Sequence, residues 1–227
     1  MPIDLEVQLL GVLGGTTDPQ LGARQLDVAR ELLARWGEPH RRYHTVAHLV
    51  AVLDALELLF EGPGAAPVDA DDRVAVQLAA WFHDAVYEGR PGDDEAASAA
   101  LAERVLAGLD QPAARIVEVV RLVRMTATHS PAPGDRPAEL LADADLSVLG
   151  APDQEYRAYA DAVRQEYAHM PEPLFRAGRA EVLRRLTVGD QIYRTPRGRL
   201  LWEVAARANV AGEIARLEVR AGESEIV

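Results

Sequence analysis

A histidine and an aspartate stand side by side in one of the most apolar stretches of the chain. His83 and Asp84 interrupt the run from Leu78 to Tyr87, which is otherwise hydrophobic. A helix that is apolar on all sides is expected to be buried, and an unpaired buried carboxylate costs several kcal/mol. Asp84 therefore requires a partner, and a metal cation is the natural one. The alternative is an aspartate paired with an arginine beside a hydrogen-bonded core histidine.

Two further histidines lie four residues apart, in the segment from Tyr43 to His48. On a helix that spacing places His44 and His48 on one face. The same face continues through Val52, so His48 is expected to point into the core, with His44 one turn earlier at the mouth of the helix. One inward histidine is usually a satisfied core residue, whereas two on one stripe favour a functional site.

Asp145 is the third part of the predicted site. Leucine and valine residues surround it at helical spacing, so it is expected on a buried face, and Asp143 is expected to be more exposed. A hydrogen bond between helices is the alternative role for Asp145. As a set, the two imidazoles and two carboxylates suit Mn, Fe, Co, Ni, Zn or Mg better than a soft metal. The predicted ligands are His48, His83, Asp84 and Asp145.

Such a set would support hydrolytic chemistry. An octahedral ion with four protein ligands keeps two positions for water and substrate, and a water bound there becomes a nucleophile at neutral pH.

Composition excludes several other chemistries. Among 227 residues there is no cysteine, which excludes disulfides, cysteine-ligated zinc, iron–sulfur clusters and a thiol nucleophile. All 24 basic residues are arginine, and the absence of lysine excludes a Walker-type phosphate loop and a lysine-bound pyridoxal cofactor. The net charge of −12 argues against nucleic-acid binding. An acidic N-terminus and the lack of a long apolar run predict a cytoplasmic protein without membrane contacts.

The elements that must position these residues are predicted to be helices, because no stretch alternates apolar and polar residues convincingly. We expect an all-α, compact, single-domain helical bundle over residues 1–227. The metal site belongs to a core of about residues 41–150, and helices in 151–227 complete the bundle. Capping residues and prolines place the helices at about 19–36, 43–60, 72–87, 94–109, 112–129, 138–149, 152–169, 173–186 and 200–219.

The order of these motifs resembles the HD superfamily of metal-dependent phosphohydrolases, and within it a bacterial subfamily of predicted HD phosphohydrolases. The resemblance implies the HD-type fold and a divalent metal cofactor. Thr45 and Asp94 stand where the subfamily has asparagine, and Ala96 stands where it has a second glutamate, which leaves the role of that glutamate in doubt. The matching stretches are Arg41–His48, Phe82–Tyr87, Asp94–Ala99, Ala127–His129, Asp143–Gly150 and Arg164–Tyr167.

The Tyr43–His48 segment also resembles a motif of cyclic-nucleotide phosphodiesterases. That likeness implies that His48 binds metal and that His44 protonates the leaving oxygen as a general acid. Glu95 could orient or deprotonate the attacking water, or else complement a helix dipole. His129 could contact a phosphate or add a ligand, or else cap a helix.

Substrate contacts are expected from arginines, which bind phosphate bidentately, and from neighbouring tyrosines. The candidates are Arg41, Arg42, Tyr43, Arg164 and Tyr167.

The expected function is hydrolysis of a phosphate ester or anhydride, of a nucleotide or related small phosphorylated molecule. Asp84 bridging to a second metal is a further hypothesis, and a homodimer is one possible oligomeric state. One alternative is a metal- and nucleotide-binding sensor or scaffold without fast turnover. A di-iron oxygenase of the HD type is less favoured, because only His129 lies between Asp84 and Asp145 and lysine is absent.

Overall fold

Helices make up the regular structure of the computed structural model, which describes residues 4–65 and 67–222. No strand occurs in that part of the chain, which confirms the all-α prediction. A 3₁₀ helix at Leu146–Gly150 joins α7 to α8. The α-helices are α1 (Leu5–Val12), α2 (Pro19–Trp36), α3 (Val46–Phe60), α4 (Ala70–Phe82), α5 (Asp93–Gly108), α6 (Ala113–Met125), α7 (Arg136–Asp145), α8 (Asp153–Glu166), α9 (Glu172–Leu186) and α10 (Pro196–Gly222).

Aspartate caps begin several of these helices. The Asp18 carboxylate accepts a hydrogen bond from the Gln20 N–H at 2.9 Å, with Pro19 at the first helical position as the sequence predicts. Asp69 accepts in the same way from the Asp72 N–H at 2.8 Å, so α4 begins two residues earlier than predicted. None of the helices in the described ranges has the length and apolar character needed to cross a membrane.

Buried side chains form two clusters. The larger one is formed by residues of the helices α1 to α7 and contains Trp36 and Trp81, both fully buried. The smaller one lies among the 3₁₀ helix, α8, α9 and α10 and contains Tyr156 and Tyr193. Trp202 of α10 packs against both clusters. The C-terminal helices therefore pack directly against the helices that carry the predicted metal site.

Asp143 joins α7 to the segment that leads into α10, and it is 1% exposed. Its carboxylate accepts hydrogen bonds from the Arg194 N–H, the Thr195 N–H and the Thr195 hydroxyl, each at 2.7 Å. Burial raises the pKa of Asp143 to about 6 against the lowering effect of these bonds. The expectation that Asp143 is the more exposed aspartate is wrong, because a segment far along the chain covers it.

Asp143→Ala is expected to lower the free energy of unfolding by about 3 kcal/mol, because three donors, two of them in buried hydrogen bonds, lose their acceptor. Urea titration at pH 7 measures the change. Asp153→Ala is the control, since its ion pair with Arg157 is exposed and should contribute less than about 0.5 kcal/mol. Equal stability of the two variants would contradict a structural role for Asp143.

Candidate metal centre

The end of α4 brings His83 and Asp84 to the same point. The helix ends at Phe82 rather than at Tyr87 as predicted, and the Ala85 N–H closes a turn on the Phe82 carbonyl at 3.0 Å. Adjacent side chains on a continuous helix diverge by about 100°. Leaving the helix here lets the Asp84 carboxylate turn back, so that its Oδ2 lies 3.2 Å from His83 Nε2.

His48, His83 and Asp145 form a buried group that could hold a metal ion. His48 lies in the first turn of α3, and Asp145 is the last residue of α7. Asp145 Oδ1 is 3.0 Å from His48 Nε2 and 3.5 Å from His83 Nε2, and the two imidazole nitrogens are 3.3 Å apart. The two histidine side chains are almost fully buried, at 2% and 1% exposed.

The solvent side of this group is formed by carboxylates. The side chains of Asp84 and Asp145 are 14% and 11% exposed. Asp84 Oδ2 lies 3.9 Å from His48 Nε2 in addition to its closer approach to His83. An ion that enters from solvent would therefore meet the carboxylate oxygens first, and the histidine nitrogens lie deeper in the protein.

The donor set fits a divalent transition metal. Ligand atoms that each lie about 2.1 Å from one ion are separated by about 3.0–3.5 Å when they are neighbours. The distances from His83 Nε2 to Asp84 Oδ2, His48 Nε2 and Asp145 Oδ1 fall in this range, at 3.2, 3.3 and 3.5 Å. His83 Nδ1 lies 2.8 Å from the Ala80 carbonyl oxygen. Such a contact keeps the proton on Nδ1 and leaves Nε2 free to bind metal.

Charge also favours a cation. Burial opposes ionisation of Asp84 and Asp145, but His83 outweighs it and holds the pKa of both carboxyls well below its usual range. Burial lowers the pKa of His48. For His83 burial also favours the neutral ring, yet the two aspartates raise its pKa well above the ordinary value. Without metal, the charged His83 is the positive partner of the two carboxylates. A divalent ion would replace the Nε2 proton of His83 and supply positive charge to both carboxylates.

His129 approaches the group from the end of α6. That helix ends at Met125, and His129 adopts a left-handed conformation with φ 49°. Its Nε2 lies 2.6 Å from Asp145 Oδ2, the oxygen that does not face His48. His129 therefore contacts the site through the Asp145 carboxylate, and it is positioned to orient that carboxylate.

His44 lies before α3 rather than on it, because the helix begins at Val46 with Thr45 as its N-cap. The predicted shared helix face with His48 is therefore wrong. His44 is held instead by Glu166, whose Oε2 lies 2.7 Å from His44 Nδ1. The other ring nitrogen, Nε2, lies 3.9 Å from Asp84 Oδ2.

Glu166 is a residue of the site for which the sequence predicts no role. Its side chain is 2% exposed, and Oε1 accepts hydrogen bonds from the backbone N–H groups of Arg42, Tyr43 and His44 at 2.7–3.0 Å. The Tyr87 hydroxyl donates to Oε2 at 2.9 Å. The only available signal was its place in the matching stretch Arg164–Tyr167, since it is separated from His44 by 122 residues.

Burial raises the pKa of Glu166, but the bonds from His44 and the backbone outweigh it and lower the pKa to about 2. A lowered pKa in the folded state stabilises the fold above the unfolded pKa of about 4.5, and this contribution is lost as pH falls toward 2.

Glu166→Gln is therefore expected to cost about 3 kcal/mol of unfolding free energy at pH 7, and progressively less between pH 4.5 and pH 2. Urea titrations across this range measure the difference from wild type. Glu31→Gln, which removes an exposed ion pair with Arg35, should show little change at any pH. A pH-independent difference for Glu166→Gln would contradict the inferred charge.

Arg41 is buried beside the site, and its five N–H groups are all used. They donate to Glu38 and to the carbonyl oxygens of His44, Asp84 and Ala85. These bonds tie the His44 segment to the turn after α4. In this arrangement no N–H group of Arg41 is left for a substrate phosphate.

The other predicted substrate contacts divide into two groups. Tyr43 packs its ring against His44 and His48, at centroid distances of 4.9 and 4.6 Å, and exposed Arg42 is its neighbour. Arg164, by contrast, donates to Glu172 and to the Tyr167 carbonyl oxygen.

Glu95 accepts a hydrogen bond from the Gly92 N–H at 2.5 Å at the start of α5. Among the contacts of the described residues, none joins Glu95, Arg164 or Tyr167 to the metal-ligating group.

Comparison of the chain with protein-family models, with curated proteins and with solved structures gives no match. The geometry and charge of the His48, His83 and Asp145 group are therefore the basis for a functional proposal.

Proposed function

We propose that this protein is a metal-dependent phosphohydrolase of the HD type, acting on a phosphate ester or anhydride of a small molecule such as a nucleotide. The observation that carries the proposal is the buried His48, His83 and Asp145 group, with the Asp84 carboxylate on its solvent side. This is the set of residue types, in the same chain order, that the sequence resemblance implies.

The residues that would hold the ion are His48, His83, Asp84 and Asp145. A bound Mn, Co, Ni, Fe, Zn or Mg ion would polarise the phosphoryl oxygen and lower the pKa of a bound water. Asp84 and Asp145 would neutralise the ion from the side open to solvent, and the buried imidazoles of His48 and His83 would bind it from the opposite side. His129 restrains the free oxygen of Asp145, which limits the carboxylate to one orientation.

His44 serves as the general acid for the leaving oxygen. Glu166 is ionised at neutral pH and accepts the Nδ1 proton of His44, so Nε2 faces the solvent side of the site toward Asp84. A proton held at Nε2 is then available to an oxygen that departs from a phosphoryl group near Asp84. Glu166 acts here as a positioning residue, because it also fixes the backbone of His44.

Arg42 and Tyr43 are the substrate contacts that this arrangement supports. Arg42 donates from Nη1 to the Pro39 and Arg41 carbonyl oxygens, at 2.6 and 2.9 Å. Its Nε and Nη2 groups make no hydrogen bond within the described ranges, and its side chain is exposed. These groups would bind a phosphate as it enters the site.

The test is phosphate release by protein stripped of metal and reloaded separately with Mn, Co, Ni, Zn and Mg. Substrates are a chromogenic phosphoester, nucleoside mono- and triphosphates, and cyclic nucleotides. We expect metal-dependent release that is lost in Asp84→Ala and kept in Asp27→Ala, which removes an exposed carboxylate of α2.

Two outcomes would contradict the proposal. Stoichiometric metal binding without release from any substrate would favour a binding protein over an enzyme. Absence of metal binding would refute the metal site itself.

A further inference from the structure

A cavity of about 610 Å³ lies among α8, α9 and α10, and none of the proposed metal ligands lines it. Phe175 and Leu217 are apolar residues of its lining. Arg176 of α9 and Arg216 of α10 also line it. The cavity is therefore a candidate binding site that is separate from the metal centre.

Arg176 is the feature that makes this cavity unusual, because a guanidinium group cannot lose its charge on burial. The residue is only 8% exposed. Its Nη2 donates to the Arg216 carbonyl oxygen at 3.1 Å, while its buried Nε has no hydrogen-bond partner in the described structure. No carboxylate of the described residues forms an ion pair with it. Burying a charge without a counter-charge costs several kcal/mol.

Two of the carboxylates that line the cavity are already neutralised by other arginines. Glu172 pairs with Arg164 at 2.9 Å, and Glu213 pairs with Arg179 at 2.8 Å. Glu213 also accepts a hydrogen bond from the hydroxyl of buried Tyr156. Neither carboxylate is therefore free to serve Arg176.

The other charged residues of the cavity lining leave an excess of positive charge there. Arg157 at the rim pairs with Asp153 at 2.9 Å. Arg216 makes no ion pair within the described ranges, and Asp161 is an exposed carboxylate of the lining. Arg176 and Arg216 are thus left with one exposed acid, Asp161, as a possible counter-charge in the lining. This local excess of positive charge stands out in a chain whose net charge is −12.

We propose that this cavity binds a small organic anion. Its carboxylate or phosphate head would bind Arg176 and Arg216, and its apolar body would pack against Phe175 and Leu217. Bidentate binding of such head groups is the common use of a guanidinium group. The site does not depend on the proposed metal function, since it shares no residue with it.

Binding is tested on the metal-loaded full chain with inorganic phosphate, phenylphosphonate and benzoate as probes, by calorimetry. We expect the phenyl compounds to bind, and Arg176→Gln to weaken their binding at least about tenfold. Arg184→Gln is the matched control, because it removes an exposed arginine of the same helix that pairs with Glu218. An anion held at the metal centre would bind equally to both variants, and that result would overturn the proposal.

Thermal unfolding gives a second readout that a purely structural role for Arg176 would not produce. Without anion, Arg176→Gln is expected to melt at or above the wild-type temperature, because it removes an unneutralised buried charge. Saturating phenylphosphonate should reverse that order by stabilising only wild type. A variant that is less stable than wild type by the same amount with and without anion would contradict the proposal.

If Arg176→Gln fails to fold, Ala160→Asp provides an independent test of anion binding in the cavity. It adds a carboxylate to the cavity lining, opposite in sign to the arginines. We expect a higher melting temperature without anion and weaker phenylphosphonate binding. Wild-type affinity in this variant would count against an anion site.

Discussion

Asp145→Ala is expected to abolish metal binding, with a loss of affinity of at least about 1000-fold, and to reduce phosphate release to background. Asp145 contacts three histidines of the site, because its Oδ1 faces both His48 and His83 while its Oδ2 faces His129. Losing a direct ligand should exceed the 10- to 100-fold effect of losing a residue that only orients one. Metal retained after equilibrium dialysis, and activity on the preferred substrate, measure the two losses.

The same substitution is expected to change the metal-free protein. Asp145 helps to hold the buried His83 in its charged form, so its removal leaves a buried imidazolium with one fewer counter-charge. We expect a loss of about 3 kcal/mol in unfolding free energy, measured by urea titration without metal.

Asp27→Ala, on the exposed side of α2, controls for the loss of one negative charge. Stoichiometric metal at wild-type affinity in Asp145→Ala would show that the ion lies elsewhere.

His44→Asn is expected to lower kcat by about 100- to 10,000-fold for esters of poor leaving groups, without loss of metal. The reason is that His44 is not among the predicted ligands, and its Nε2, 3.9 Å from Asp84 Oδ2, faces the solvent side of the site. Esters of a good leaving group such as 4-nitrophenol need no protonation, so their kcat should fall less than about tenfold.

The dependence of kcat on leaving-group pKa is the measurement, and it should be steeper in His44→Asn than in wild type. Glu166→Gln should show the same change in slope to a smaller degree, since it disturbs the orientation of His44 and leaves the imidazole in place. An equal fall for good and poor leaving groups would assign His44 a role in binding or folding rather than in proton transfer.

Local sequence determined the kind of element and the buried face of the helices that carry His48 and His83. Apolar periodicity is a property of each helix alone, so it correctly predicted an all-helical chain and the burial of His48 and His83. The donor types of these residues, together with Asp145, were sufficient to predict a group that could hold a metal ion. The assignment to the HD type and the hydrolytic activity remain predictions.

Helix ends and irregular segments were predicted less well, because both depend on contacts outside the helix. The turn after Phe82 directs Asp84 toward His83, whereas an apolar run through Tyr87 predicted a continuous helix. His44 was placed on α3 by its spacing from His48, yet it precedes that helix.

Only the tertiary structure decided how the site is held together. Glu166 reaches His44 across 122 residues. Asp143 is buried because Arg194 and Thr195 donate to it from 51 and 52 residues away. Arg41 donates three of its N–H groups to carbonyl oxygens of the chain itself, so these groups are not available to a substrate. The pattern within one helix specifies which face is buried, but the partner that a buried polar group finds depends on how distant helices pack.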